Sequence, residues 1–279
     1  MRIRAFLNFA ALAFLLLTCA GCGSDPVAPV DSVVAKASAG NHLTIGIRFD
    51  SPGLSLRTID GRFLGFDVDV ARYVAGELGV EPQNITWHET TSATRESDLA
   101  NGVVDLVVAS YSITDRRKQQ VAFAGPYFVT GQDLLVRRTS PDITGPETLN
   151  GRKLCSVTGS TPAQQVRDRY AQAVQLVEYP RYPDCVTALL AGQIDAITTD
   201  GVILAGYVAQ DPELLRIVGK PFSTEKYGVG LRKNDTEGKA AVGKAIQKMI
   251  SGGEWQRSLS TNIGQSGYPI PAPPEVTEQ

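Results

Sequence analysis

The chain has 279 residues, of which 43% are hydrophobic, 7% aromatic and 20% charged, a composition that supports a substantial core and excludes wholesale disorder. Its 27 Lys and Arg against 29 Asp and Glu leave a formal charge of −2, so nothing global draws it to nucleic-acid phosphates. With only two histidines, His42 and His88, and four cysteines, His-rich metal centres and Cys₄ zinc modules are poorly supported, and no cofactor is implied.

In chain order, Arg2 and Arg4 precede an uncharged run of about 13 residues, 5–17, too short for the roughly 20 that span a bilayer. The run reads as the apolar part of a signal peptide. It ends in Thr18-Cys19-Ala20-Gly21-Cys22, which resembles the lipobox of bacterial prolipoproteins except that Cys19 stands where an aliphatic residue is usual. Residues 1–22 are therefore expected to be a lipoprotein signal ending at a lipidated Cys22, which would anchor the chain to the extracytoplasmic face of the cell membrane. Residues 23–40, rich in Ser, Ala, Pro and Val, read as a flexible tether, and 265–279, with Pro269, Pro271, Pro273 and Pro274, as a disordered tail. Export also favours oxidised thiols. With Cys19 removed and Cys22 lipidated, Cys155 and Cys185 remain as the expected disulfide.

The folded part, 41–264, alternates strands and helices. Residues 43–48 predict a strand, and 67–78 a helix with Val70, Tyr73, Val74 and Leu78 on one face and Gly79 as its stop. A helix over 92–101 and a doubly buried strand over 103–109 follow. The second half repeats the scheme, with a strand at 153–157, helices at 161–171 and 184–191, and a strand at 194–198. Each repeated strand runs into a hydroxyl-rich loop, Ser110-Tyr111-Ser112 and Thr198-Thr199-Asp200. Open α/β sheets bind ligands at such carboxyl ends, so the cleft between two lobes is the expected site. A strand at 227–232 and helices from 235 or 236 and over 254–263 close the chain.

Three segments carry a resemblance: Gly61-Arg62-Phe63-Leu64-Gly65-Phe66-Asp67-Val68-Asp69; Ser110-Tyr111-Ser112-Ile113-Thr114-Asp115-Arg116-Arg117; and Cys155-Ser156-Val157-Thr158-Gly159-Ser160-Thr161-Pro162. Together they resemble the polar amino-acid family of extracytoplasmic solute-binding proteins, the receptors of ABC importers, over about residues 41–264. Asp50-Ser51-Pro52-Gly53-Leu54 and the cysteine pair are most like its actinobacterial glutamate-binding branch. The resemblance implies an α/β, two-lobe periplasmic-binding-protein fold of type II. Lobe 1 would take residues 41–131 plus 229–264 and lobe 2 the inserted 132–228, with a two-strand hinge near Gly131 and Gly228. It implies a monomer whose partners are a free amino acid and an ABC permease.

The family places its ligand-binding arginine at Arg117, whose fork suits an α-carboxylate, with Ser110 and Ser112 as added donors. Neighbouring Arg116 and Lys118 read as solvated charges. Thr158, Ser160 and Thr161 precede a helix N-terminus, where free N–H groups attract a carboxylate. Asp200 is the expected partner of the α-ammonium group; the alternative is a helix N-cap. Arg48 and Arg95 are expected to face the ligand's side chain, and three arginines against Asp200 suit glutamate first, then aspartate, with asparagine and glutamine open. No P-loop, paired-His metal helix or nucleophile elbow is present, so an enzyme is not expected. A ligand-dependent partner of a membrane sensor and a dehydratase-like enzyme on the same fold are the alternatives.

Overall fold

The computed structural model describes residues 32–279. Helix α1 is Val33–Gly40, followed by strand β1 Leu43–Ile47, the short hairpin strands β2 Asp50–Ser51, β3 Ser55–Arg57 and β4 Phe63–Leu64, and helix α2 Phe66–Glu77. Strand β5 Ile85–Glu89, helix α3 Arg95–Ala100, strand β6 Leu106–Val107, helix α4 Asp115–Lys118 and the long strand β7 Val121–Thr130 complete the first pass. The inserted lobe has β8 Gln132–Arg137, β9 Lys153–Val157, α5 Pro162–Arg169, β10 Gln175–Tyr179, α6 Tyr182–Leu190, β11 Ala196–Asp200, α7 Gly201–Gln210 and β12 Leu215–Ile217. The chain returns through β13 Glu225–Arg232, α8 Thr236–Ser251 and α9 Glu254–Ile263.

Leu43, Ile45 and Ile47, on one face of β1, are fully buried, and Gly46 on the other face is buried as well, so β1 is covered on both faces. It lies between β5 and β6, parallel to both, in a sheet of order β5-β1-β6-β13-β7. The second sheet, β10-β9-β11-β8-β12, repeats that arrangement of three parallel strands followed by an antiparallel crossing strand. Helix α2 buries Phe66, Val70, Ala71 and Val74 against the first sheet, and Trp255 of α9 meets the Phe66 ring edge-on. The doubled strand–helix scheme read from the sequence is therefore the two-lobe α/β fold, with lobe 2 inserted in lobe 1.

Four boundaries differ from expectation. Residues 33–40, read as tether, form a helix because Ser32 caps it and Asp235 Oδ2 accepts the Val33 N–H at 2.8 Å, while Lys36 pairs with Asp105. The strand expected over 103–109 shortens to β6, since Asp105 is drawn into accepting the Thr44 N–H. The return crossing lies before Glu225, not at Gly228: β13 already pairs with β7 from Glu225 opposite Thr130, and Gly228 sits at an irregularity between Tyr227 and Val229. The proline-rich tail, read as disordered, instead follows the fold. Tyr268 Oη bonds Thr130 at 2.8 Å, Val276 is buried, and Glu278 exchanges both backbone hydrogen bonds with Gly125 while its carboxylate holds Lys118 and Lys239. Prolines removed donors but left these anchors free to pair. Residues 1–22, including Cys22, lie outside the described residues.

The lobes touch across the cleft. Arg181 of lobe 2 pairs with Glu89 of lobe 1 at 2.6 Å, and Tyr207 Oη donates to the Asp50 carbonyl at 2.7 Å. Helix α7 approaches so closely at Gly206 that any Cβ there would overlap the Pro52 carbonyl oxygen.

Cys155 of β9 and Cys185 of α6 form the expected disulfide, with Cα atoms 5.9 Å apart. It closes a loop of about 30 residues, worth roughly 3–4 kcal/mol in the chain-entropy estimate. The Cys155→Ala/Cys185→Ala protein should lose about that much unfolding free energy in urea titrations, and a loss below about 1 kcal/mol would show the cross-link to be unimportant.

Candidate functional site

The site begins where β6 ends. The chain turns through Ser110, a non-glycine residue at φ 47°, and this unusual backbone is held by Asp67 at the start of α2. One carboxylate oxygen of Asp67 accepts both the Ser110 N–H at 2.7 Å and its hydroxyl at 2.8 Å; the other accepts Tyr127 Oη at 2.8 Å. Burial raises the Asp67 pKa, opposed by these hydrogen bonds. With both Ser110 donors committed to Asp67, the expected role of Ser110 as a donor to ligand fails, and its carbonyl is the group left to offer.

Tyr111 supplies the platform. Its ring lies 4.0 Å from the Arg95 guanidinium and 5.3 Å from that of Arg117. Arg117 is buried, whereas Arg116 is exposed and Lys118 pairs with Asp115 and Glu278, as solvated neighbours should. Thr114 caps α4, and Arg117 Nη1 donates to the Ser112 carbonyl at 2.9 Å. Glu96 Oε1 stands 3.2 Å from Arg117 Nε but out of line for a hydrogen bond, so that N–H is left without an acceptor. Arg95 is poorer still. Its Nε has no acceptor and Nη1 makes one long bond, 3.4 Å, to the Ala109 carbonyl. Burial, then the adjacent Arg117 charge, pull its pKa down to about 9.

Arg48, at the end of β1, is differently placed. Its fork meets Asp50 at 3.1 and 3.2 Å, its Nε reaches Ser51, its Nη1 reaches Ser92, and the cation lies 5.3 Å from the Tyr182 ring of lobe 2. Burial is the strongest single influence and works against this charge, but Asp50, Tyr207 and Tyr182 together outweigh it, leaving the pKa above its ordinary value.

Lobe 2 contributes Ser160, Thr161, Tyr182, Thr199, Asp200 and Ile203. Thr161 precedes α5 without capping it by its side chain. Asp200 likewise stands at the N-cap of α7 but makes no cap bond; instead it accepts Tyr227 Oη at 2.5 Å. Burial, then the Glu225 charge, raise the Asp200 pKa to about 7, against that hydrogen bond and the charges of Arg117 and Arg95. These side chains line a tight cavity of about 30 Å³ between the lobes.

Of the residues singled out from the sequence, Arg48, Arg95, Ser110, Ser112, Arg117, Ser160, Thr161 and Asp200 line this one cavity. Thr158 does not. It is exposed, and its N–H bonds the Tyr179 carbonyl at 3.0 Å, continuing the β9–β10 ladder. The expected cationic surplus also shrinks, because Asp50 and Glu96 join Asp200 among the arginines. Sequence reasoning missed Asp67, Ser92, Glu96, Tyr111, Tyr182 and Tyr227. Asp67 and the hydroxyl-flanked Tyr111 were in view as motif members; the others carry no local signal for a place in the site.

Residues 43–265 match the sequence profile of the bacterial extracellular solute-binding proteins, family 3. The chain is 43% identical to a glutamate-binding protein, GluB, of Corynebacterium efficiens, over 96% of this chain and 93% of that protein. It is 34% identical to an ABC transporter glutamine-binding protein of Bacillus subtilis, over 86% and 89% of the respective chains. The structure of an ancestral arginine-binding protein bound to glutamine superposes with a TM-score of 0.75 and 30% identity, over 80% of this chain and 98% of that one. A polar cavity between two α/β lobes, with cations on one side and a carboxylate on the other, agrees with these matches: the chain belongs to family 3 of the bacterial extracellular solute-binding proteins and is a binding protein, not an enzyme.

Proposed function

We propose that the protein is a monomeric extracytoplasmic receptor that binds a free amino acid in the interlobe cavity and hands it to an ABC importer. The ligand is an acidic amino acid, glutamate ahead of aspartate. The observation that carries this reading is the opposition, inside one cavity, of under-bonded Arg117 and Arg95 to the buried carboxylate of Asp200. Arg117 takes the α-carboxylate with Ser112, Ser160 and Thr161; Asp200 and the Ser110 carbonyl take the α-ammonium group. Arg95, with an Nε that lacks an acceptor, supports a second carboxylate on the ligand. Two Corynebacterium relatives at 43% and 44% identity that are named glutamate-binding proteins support the same choice.

A thermal-shift panel of the twenty amino acids on ligand-stripped protein tests the reading, because a ligand of the native state raises the melting temperature. Glutamate should give the largest shift and aspartate the next; a larger shift with a neutral or basic amino acid would overturn the acidic assignment.

Truncating one partner of a buried charge pair typically costs 2–5 kcal/mol, or about 30- to 4,000-fold in affinity. Arg117→Ala should weaken all amino-acid ligands by that factor, and calorimetry showing a loss below about threefold would remove Arg117 from the α-carboxylate.

Asp200 makes binding depend on pH. Its pKa of about 7 in the empty site must fall when an ammonium group arrives, so binding releases a proton and weakens as pH drops through that value. Affinity should decline about tenfold from pH 8 to pH 6, and Asp200→Asn should flatten the profile. A flat wild-type profile would contradict the assignment.

Cys22 serves as the lipid anchor in this reading. Cys22→Ser should move the protein from the membrane to the soluble fraction, and unchanged fractionation would count against the anchor.

A further inference from the structure

The two arginines at the side-chain end of the cavity are not equivalent. Arg95 stacks on Tyr111 with an Nε that has no acceptor, whereas Arg48 is held by Asp50 through two oxygens and by Ser51 and Ser92 besides. Asp50 does not line the cavity; it stands behind Arg48. Its backbone is fixed on both sides, by pairing with Leu56 in the hairpin and by the hydrogen bond its carbonyl accepts from Tyr207 of lobe 2. The salt bridge is therefore built into the closed arrangement, not a chance surface contact. A guanidinium already matched by a bidentate carboxylate offers little net charge to a second anion, and that anion would feel the repulsion of the first.

We propose that Asp50 is a specificity-determining positioning residue: by neutralising Arg48 it leaves Arg95 as the receptor for the ligand's distal carboxylate, and so sets how strongly the cavity prefers an acidic amino acid to its amide. The proposal rests on the acidic reading given above. It makes Arg48 a hydrogen-bonding wall that serves carboxylate and amide alike. Removing the Asp50 charge while keeping its shape exposes a second cation to the ligand. Such a change acts on one end of the ligand only, so it alters a ratio of affinities, whereas a loss of general order lowers both affinities together.

Calorimetry with L-glutamate and L-glutamine on the ligand-stripped full chain tests this, using wild type, Asp50→Asn, Asp50→Glu, Arg48→Met, the Asp50→Asn/Arg48→Met double variant and Arg95→Met. Asp50→Asn should raise the glutamate-to-glutamine preference by at least about tenfold, equivalent to 1.4 kcal/mol, and Asp50→Glu should keep it within about threefold. Arg48→Met, which leaves the Asp50 charge unpaired, should lower the preference; the double variant, which removes both charges of the pair, should keep it within about threefold of wild type, and Arg95→Met should collapse it. An unchanged or reduced preference in Asp50→Asn overturns the proposal; so does a double variant whose preference falls as far as that of Arg95→Met. Wild type that binds glutamine but not glutamate defeats the acidic reading instead. In that case a gain of glutamate binding in Asp50→Asn still supports the role of Asp50, and no gain overturns it. Neither ligand binding to any of these proteins overturns both.

Discussion

Two like charges, the guanidinium groups of Arg95 and Arg117, are buried side by side against one tyrosine ring. Taking cations out of water is costly, and placing them together in a medium of low dielectric adds repulsion to desolvation. The surrounding structure answers that cost only in part: Tyr111 offers its ring face, Glu96 approaches one edge, and carbonyls of Ala109 and Ser112 accept single bonds. The Nε–H groups of both arginines are left without an acceptor. In the proposed reading that deficit is what an anionic ligand would answer, and the fold must be rigid enough to hold it open.

Rigidity comes from the layer beneath. Asp67 fixes Ser110 in a backbone conformation that a serine rarely adopts, and the same carboxylate ties in Tyr127, whose carbonyl receives the Trp255 indole N–H at 2.7 Å. The loop carrying the ring and the clamp is thus connected by hydrogen bonds to helices α2 and α9. On the opposite lobe, Asp200 is held by Tyr227, which belongs to the strand that re-enters lobe 1. The Asp200 carboxylate and the strand that re-enters lobe 1 therefore share a hydrogen bond, so the cavity and the crossing are coupled.

How much of this was legible in the sequence depended on the range of the interaction. Apolar periodicity marked β1, α2, β9, α8 and α9 well because burial of those residues is set by local spacing. Arg117 was reached through the family resemblance of its motif, and Asp200 through its place after the repeated strand. Asp50 and Glu96, which recast the charge balance, were not, because an ion pair is a property of the assembled site and carries no period. The ends of the chain misled for a related reason. Serine, alanine and proline read as mobile, yet Val33 and Glu278 tie both segments down through partners 39 to 202 residues away, beyond any window that composition samples. Thr158 shows the opposite error: a loop assigned wholesale to the ligand has one member that belongs to the sheet.

The contact between Gly206 and the Pro52 carbonyl has an evolutionary consequence. Here the backbone of one lobe, at the Pro52 carbonyl, meets the backbone of the other, at a position outside the cavity lining. Side chains also cross the cleft, Arg48 over Tyr182 and Arg181 against Glu89, but these can yield by changing rotamer and a backbone contact cannot. Any other residue at 206 would wedge the jaw open whatever lies inside it, so mutation there is barred by bite and not by taste.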